Sequence, residues 1–239
     1  MTALSDETRA RLMGVSVATL STALFKRGLR NQTIQDVAPL APKGRNMVGP
    51  AFTLRYIPAR EDLNQLEVFR NPDHPQRAAV ERCPAGSVLV MDSRKNPRAA
   101  SAGSILVSRL MVRGVAGVVT DGGFRDSPEI GRLSMPAYHN RPSAPTNLTL
   151  HQALDIDMPI GCGDVAVWPG DIIVGDDEAV IVIPAALAGE IAAEAVEMTA
   201  FEDFVTEQVL AGRSIIGLYP PTNPETLADF AAWRAKAGR

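Results

Sequence analysis

Two near-continuous apolar runs constrain this chain most: Ser87-Val88-Leu89-Val90-Met91-Asp92 and Val115-Ala116-Gly117-Val118-Val119-Thr120. Runs without polar alternation read as strands covered on both faces, the kind that parallel sheets contain. Between them, Ser101-Ala102-Gly103-Ser104 precedes Ile105, Leu106, Leu110 and Met111, a spacing that predicts a helix with a small-residue N-terminus. Residues 87–120 therefore read as one βαβ unit. The loops after its two strands should open on the same sheet edge, making Gly103-Ser104 a neighbour of Arg125-Asp126.

That neighbourhood is chemically suggestive. Arg125 offers a planar fork that matches a carboxylate, and an Asp126 oxygen is a hard ligand for a divalent cation. Free amides at the helix start, at the positive end of its dipole, would add a second cradle for the same anion. The bland alternatives are a surface salt bridge for Arg125-Asp126 and a tight turn for Gly103.

Elsewhere, Ser5-Asp6-Glu7 predicts a helix start, and a second helix is expected from Ser16 through Leu20 and Leu24 to Gly28, the two forming an N-terminal cap over about 5–30. Residues 48–57 read as a strand with Pro50 near its beginning. The charged stretch from Glu61 to Arg82 fits a helix broken at Asn71-Pro72, serving either as a lid or as a solvated connector. After short apolar segments at 133–138 and 158–161, residues 163–184 alternate strand and turn. A helix is expected from near Ala185 to about Leu210 with Gly212 as its cap, and a last one from Pro224 to Trp233, giving a helical tail over 185–239.

At 239 residues and 46% hydrophobic content, the chain supports one well-packed core, and a single domain spanning 1–239 is expected. A net charge of -3 with arginines interleaved among acids gives no field for nucleic acid or anionic lipid, and 5% aromatics leave few stacking platforms. No basic stretch followed by an apolar run opens the sequence, and no run reaches a membrane span, so a cytoplasmic protein is expected.

Several motifs are set aside on chemistry. Cys83 and Cys162 lie far apart outside any CxxC pattern and read as small buried hydrophobes. Gly161-Cys162-Gly163-Asp164-Val165-Ala166 matches a dinucleotide fingerprint, but Val-Trp-Pro-Gly follows it and cannot open a helix. His74, His139 and His151 lack metal-ligand spacing and read as surface or packing residues. The lysines, Lys26, Lys43, Lys95 and Lys236, sit in polar contexts unsuited to Schiff-base chemistry, so carbonyl chemistry here would draw on a metal ion.

Taken together, Thr19-Leu20-Ser21-Thr22-Ala23-Leu24, Val48-Gly49-Pro50-Ala51-Phe52-Thr53, Arg113-Gly114-Val115-Ala116-Gly117, Asp121-Gly122 with Arg125-Asp126, and Val167-Trp168-Pro169-Gly170-Asp171 resemble the RraA-like family. That family includes class II 4-hydroxy-4-methyl-2-oxoglutarate/4-carboxy-4-hydroxy-2-oxoadipate aldolases and the regulator of ribonuclease E activity. The resemblance implies an α/β swivelling-domain (phosphohistidine-domain-like) sandwich with a βαβ core and terminal helices. It also implies a homotrimer or homohexamer with sites at subunit interfaces.

By the same resemblance, Arg125 binds the pyruvoyl carboxylate of a small 2-oxo acid, Asp126 ligates Mg2+ or Mn2+, and Gly103, Ser104, Ile105 and Leu106 supply the helix-start amides. Glu202 is the counterpart of a glutamate that a neighbouring subunit's C-terminal helix contributes. The implied activity is a divalent-metal-dependent lyase, by retro-aldol cleavage of a 4-hydroxy-2-oxo acid, oxaloacetate decarboxylation, or both, releasing pyruvate. Two departures qualify it: Ser104 stands where catalytic relatives carry an acid, and Thr22 where an aspartate is common. Dehydration of a sugar-derived 2-oxo-3-deoxy acid and non-catalytic ribonuclease regulation are the alternatives.

Overall fold

A computed structural model of the chain describes residues 4–238; the first three residues, part of the expectation of no leader segment, lie outside it. The N-terminal cap forms as expected. Ser5 Oγ accepts the Thr8 N–H at 3.1 Å to begin α1 (Asp6–Met13), and Ser16 Oγ accepts the Thr19 N–H at 3.1 Å to begin α2 (Val17–Phe25). α2 stops three residues short of Gly28, which takes φ 81 in the turn that follows.

Next come the short edge strand β1 (Ala38–Pro39) and β2 (Met47–Pro58), the spine of the molecule. The stretch after β2 breaks where Asn71-Pro72 predicts. A 3-10 turn covers Leu66–Arg70, and α3 (Pro75–Arg82) starts with Pro75 in its first turn, where a missing N–H costs nothing. β3 (Val88–Asp92), β4 (Ala100–Ala102), α4 (Ser104–Val112) and β5 (Gly117–Thr120) follow. β3 and β5 pair in parallel with α4 between them, as the apolar runs predict.

Beyond β5 lie β6 (Gly123–Phe124), α5 (Ser127–Arg132), β7 (Ala137–His139), β8 (Arg141–Pro142) and β9 (His151–Ile156). The strand-rich second half supplies β10 (Ile160–Cys162), β11 (Val165–Val167), β12 (Ile172–Gly175) and β13 (Val180–Ile183). β10 and β11 form an antiparallel hairpin through Gly163, so the glycine motif at 161–166 opens no helix. Two long helices close the chain, α6 (Ala188–Leu210) and α7 (Pro224–Ala237).

The result is a mixed α/β fold. Its main sheet runs β1-β7-β5-β3-β2-β12-β13, with β9 pairing the second half of β2. The centre from β2 through β7 is parallel and the flanks are antiparallel. Side-chain alternation explains the apolar runs: Leu89, Met91 and Val118 face a cluster with α3 and α4, while Val88, Val90 and Val119 face Tyr138, Cys162 and Ile173 on the other side. α1, α2 and α6 cover β12 and β13 through Leu20, Leu24, Ile191 and Ala195, so the N-terminal cap and the C-terminal tail pack on each other. Cys83 and Cys162 are buried and unpaired, as expected of small hydrophobes. No helix among the described residues is long and apolar enough to cross a membrane.

Candidate active site

A second, three-stranded sheet builds the site. β4 pairs β6 and β6 pairs β8, both in parallel, and Ala102 stands opposite Phe124. Gly103 and Arg125 are the next residues after that pair, and the Arg125 N–H donates to Ala102 O at 3.1 Å. The chain thus delivers the start of α4 and the Arg125-Asp126 pair side by side, the juxtaposition expected from the βαβ unit, through a sheet that periodicity does not show.

Gly103 is required by this closeness. A Cβ placed on it would sit 2.8 Å from both Arg125 Cγ and Asp126 Oδ2. Asp126 has left-handed backbone, φ 55 and ψ 36, which aspartate tolerates better than most residues. It makes no side-chain cap to α5. Instead its Oδ2 accepts the Ser104 N–H at 3.2 Å and the Ser104 hydroxyl at 3.3 Å, placing a carboxylate at the positive end of α4. Arg125 Nε lies 3.7 Å from the same oxygen.

These contacts refine the expected amide cradle. The Ser104 N–H is taken by Asp126, and the Leu106 N–H donates to Gly103 O at 3.1 Å. The Ile105 N–H is left as the amide without an acceptor among the described residues. Asp126 Oδ1 is likewise open, and among the described residues the Arg125 guanidinium has no carboxylate partner except Asp126.

Gly103, Ile105, Leu106, Arg125 and Asp126 all line one cavity of about 380 Å³. Ser104 is half-buried beside these residues and bonded to Asp126. The rest of the lining comes from the segment left open as lid or connector, Leu66, Phe69, Gln76 and Arg77, together with Thr146 and Asn147. Sequence reasoning missed these residues. The one local signal was Leu66 and Phe69, spaced three apart ahead of the Asn71-Pro72 break.

Glu202 does not join the site within its own chain. It lies on α6, accepts the Thr19 hydroxyl at 2.7 Å and is not among the residues lining the cavity. Thr22, the other departure, donates to Ala18 O on its own helix at 3.2 Å. The three histidines are packing residues. His74 stands edge-on to Phe69, His139 stacks on Phe124, and His151 meets Asn96 O at 3.0 Å. Burial lowers the pKa of each, that of His139 to about 4.

Behind the cavity wall is a buried polar network. Ser93 Oγ lies 2.7 Å from Ser101 Oγ, which lies 2.6 Å from Thr120 Oγ1. Ser101 O accepts the Tyr56 hydroxyl at 2.8 Å and Gln76 Nε2 at 2.7 Å. Asp121 accepts backbone N–H groups of Ser93, Lys95 and Gly163, tying three loops together, although burial raises its pKa. Every hydroxyl in the triad is within reach of another, so β4 is held rigidly under Gly103.

As a cation site the cavity is spare. Among the described residues no group of three or more His, Cys, Asp or Glu side chains is arranged to hold a metal. Asp126 with its open Oδ1 and the adjacent Ser104 hydroxyl are hard oxygen donors. That set fits magnesium or manganese, which accept one or two carboxylates and complete their shell with water or substrate oxygens.

An α/β chain whose cavity pairs an arginine and an aspartate with a helix start has recognisable relatives. The RraA-like family profile described as Aldolase/RraA matches residues 17–182, and the chain belongs to that family. A protein of Halalkalibacterium halodurans, provisionally named a 4-hydroxy-4-methyl-2-oxoglutarate aldolase, is 32% identical over 157 residues, covering 66% of this chain and 68% of its own. A Thermus thermophilus protein named 4-hydroxy-4-methyl-2-oxoglutarate aldolase is 29% identical over 156 residues, 62% of this chain and 90% of that one. Protein DlpA of Legionella pneumophila is 22% identical over 86% of this chain, which spans only 32% of that protein's length. Among solved structures, Streptomyces coelicolor RraAS2, described as an unusual member of the RNase ES inhibitor RraA protein family, superposes with a TM-score of 0.75. It is 28% identical, over 85% of this chain and 98% of that one.

Proposed function

We propose that the chain is a divalent-metal-dependent lyase that breaks a carbon–carbon bond in a small 2-oxo acid and releases pyruvate. The observation that carries this reading is the convergence of the Arg125 guanidinium, the free Ile105 N–H and the open oxygen of Asp126 in one cavity. The aldolase names of relatives at about 30% identity support it.

Arg125 and the Ile105 amide would grip the substrate's C1 carboxylate and aim its 2-oxo group at Asp126. Asp126 would hold a divalent cation, which would supply charge stabilisation for the enolate that forms as the bond breaks. Retro-aldol cleavage of a 4-hydroxy-2-oxo acid and decarboxylation of oxaloacetate share that enolate, so one site serves both. In the first the 4-hydroxyl proton leaves as C3–C4 breaks and a proton returns to C3; in the second carbon dioxide departs and C3 is protonated.

Ser104 hydrogen-bonds but is no carboxylate base. The proton carrier in this reading is Glu202 of a neighbouring copy in a homotrimer or homohexamer. The exposed apolar residues on the cavity rim, Ile105 and Leu66, suit contact with such a copy.

The test is pyruvate release from oxaloacetate and from 4-hydroxy-4-methyl-2-oxoglutarate, with magnesium and with chelator. Turnover should require the metal. Asp126→Ala should cut kcat by at least about a hundredfold, and Arg125→Ala should chiefly raise KM, by about tenfold or more. Wild-type rates in either variant would overturn the reading. A second reading, ribonuclease inhibition, draws on the likeness to RraAS2 and on the single acid in the cavity. Inactivity toward every 2-oxo acid together with tight ribonuclease binding would establish it.

A further inference from the structure

The cavity contains a second guanidinium that the proposed chemistry leaves unused. Arg77, on the first turn of α3, lines it together with Arg125 and is only partly exposed. Among the described residues it forms no ion pair. Its contact is with the face of Phe69, 4.5 Å from guanidinium carbon to ring centroid. Phe69 in turn stands edge-on to buried His74, with centroids 5.1 Å apart. The stack fixes the plane of Arg77 without neutralising its charge, leaving its N–H groups free for an anion.

Several arginines elsewhere are paired with acids, Arg82 with Asp73, Arg109 with Glu81, Arg213 with Asp229 and Arg234 with Glu197, and what sets Arg77 apart from the unpaired ones is its place in the cavity lining. A part-buried arginine held by an aromatic ring and facing a cavity with one carboxylate is set up for a ligand. Beside it Gln76, 3% exposed, commits its Nε2 to Ser101 O and the Tyr56 oxygen, so its Oε1 remains as an acceptor. The cavity thus presents two guanidinium groups and an amide oxygen among apolar surfaces from Leu66, Ile105 and Leu106.

We propose that Arg77, braced on Phe69, is the specificity residue that binds a second, distal carboxylate, so that the site selects dianionic 2-oxo acids over monoanionic ones of the same length. This rests on the reading of Arg125 as the C1-carboxylate anchor. It favours dicarboxylic substrates over the sugar-derived 2-oxo-3-deoxy acids, whose distal end is neutral and hydroxylated.

Binding by titration calorimetry separates this proposal from the lyase reading, because it needs no turnover. The probes are 2-oxoglutarate and 2-oxopentanoate, which share chain length and differ in the distal carboxylate, measured with magnesium present. The wild type should bind 2-oxoglutarate about tenfold or more tighter. Arg77→Gln should erase that preference while leaving 2-oxopentanoate unchanged, and Arg77→Lys should restore part of it. Phe69→Leu should weaken it with the charge intact. Equal affinity for the two acids in the wild type, an undiminished preference in Arg77→Gln, or no binding of either acid would overturn the proposal. Pyruvate release without any dianion preference would overturn it and leave the lyase reading standing. A dianion preference without turnover would do the reverse.

Discussion

At the scale of single residues, the site turns on the absence of a side chain. Gly103 has φ -124, ordinary extended backbone, so alanine there adds no backbone strain. Its methyl would nevertheless press on Arg125 Cγ and Asp126 Oδ2. Gly103→Ala should therefore lower kcat/KM by tenfold or more while shifting stability by about 1 kcal/mol or less, checked by kinetics beside a urea titration. Arg125 and Asp126 were legible as candidates because adjacent residues and a preceding glycine turn are local facts. Arg77 was not, since its meaning depends on what surrounds it. Only packing shows that no acid among the described residues reaches it and that Phe69 holds it.

At the scale of elements, the long ones follow from periodicity and capping chemistry. β3, α4, β5, α6 and the breaks around them stand close to their expected places because each has enough residues to express a pattern. The small sheet of β4, β6 and β8 has strands of two or three residues, too short for alternation to register. It is nonetheless what sets Gly103 beside Arg125. Its underpinning is the Ser93, Ser101 and Thr120 hydroxyl triad. Ser101→Ala removes one partner from each of two buried hydroxyls, leaving Ser93 and Thr120 with their longer 3.3 Å contact, and should cost about 1 kcal/mol. The change should appear in the urea midpoint, together with a raised KM as β4 loosens.

At the scale of the whole molecule, acid stability reports on the packed histidines. All three are buried with pKa values held below 6.5, chiefly by burial, and His139 is lowest at about 4. The unfolded chain protonates these rings near pH 6.5 while the folded one refuses, so the histidine contribution is full above pH 6.5 and falls as pH drops toward 4, opposed in part by Asp92, Asp121 and Asp171, whose pKa values, raised by burial, favour the folded state at acid pH. His139 alone contributes on the order of 3 kcal/mol to that loss. Denaturant titrations at pH 7.5 and 4.5 should show it, and His139→Gln should flatten part of the slope. By itself the sequence determined the mixed α/β character, the βαβ centre, the terminal helices and the Arg125-Asp126 candidate, because hydrophobic period, caps and turns act over a few neighbouring residues. Only the tertiary structure decided that Glu202 lies with Thr19 away from its own cavity, that Ser104 serves Asp126, and that the 66–77 segment walls the site. Those outcomes come from chain segments distant in sequence competing for the same space, and no short-range pattern encodes which of them meet.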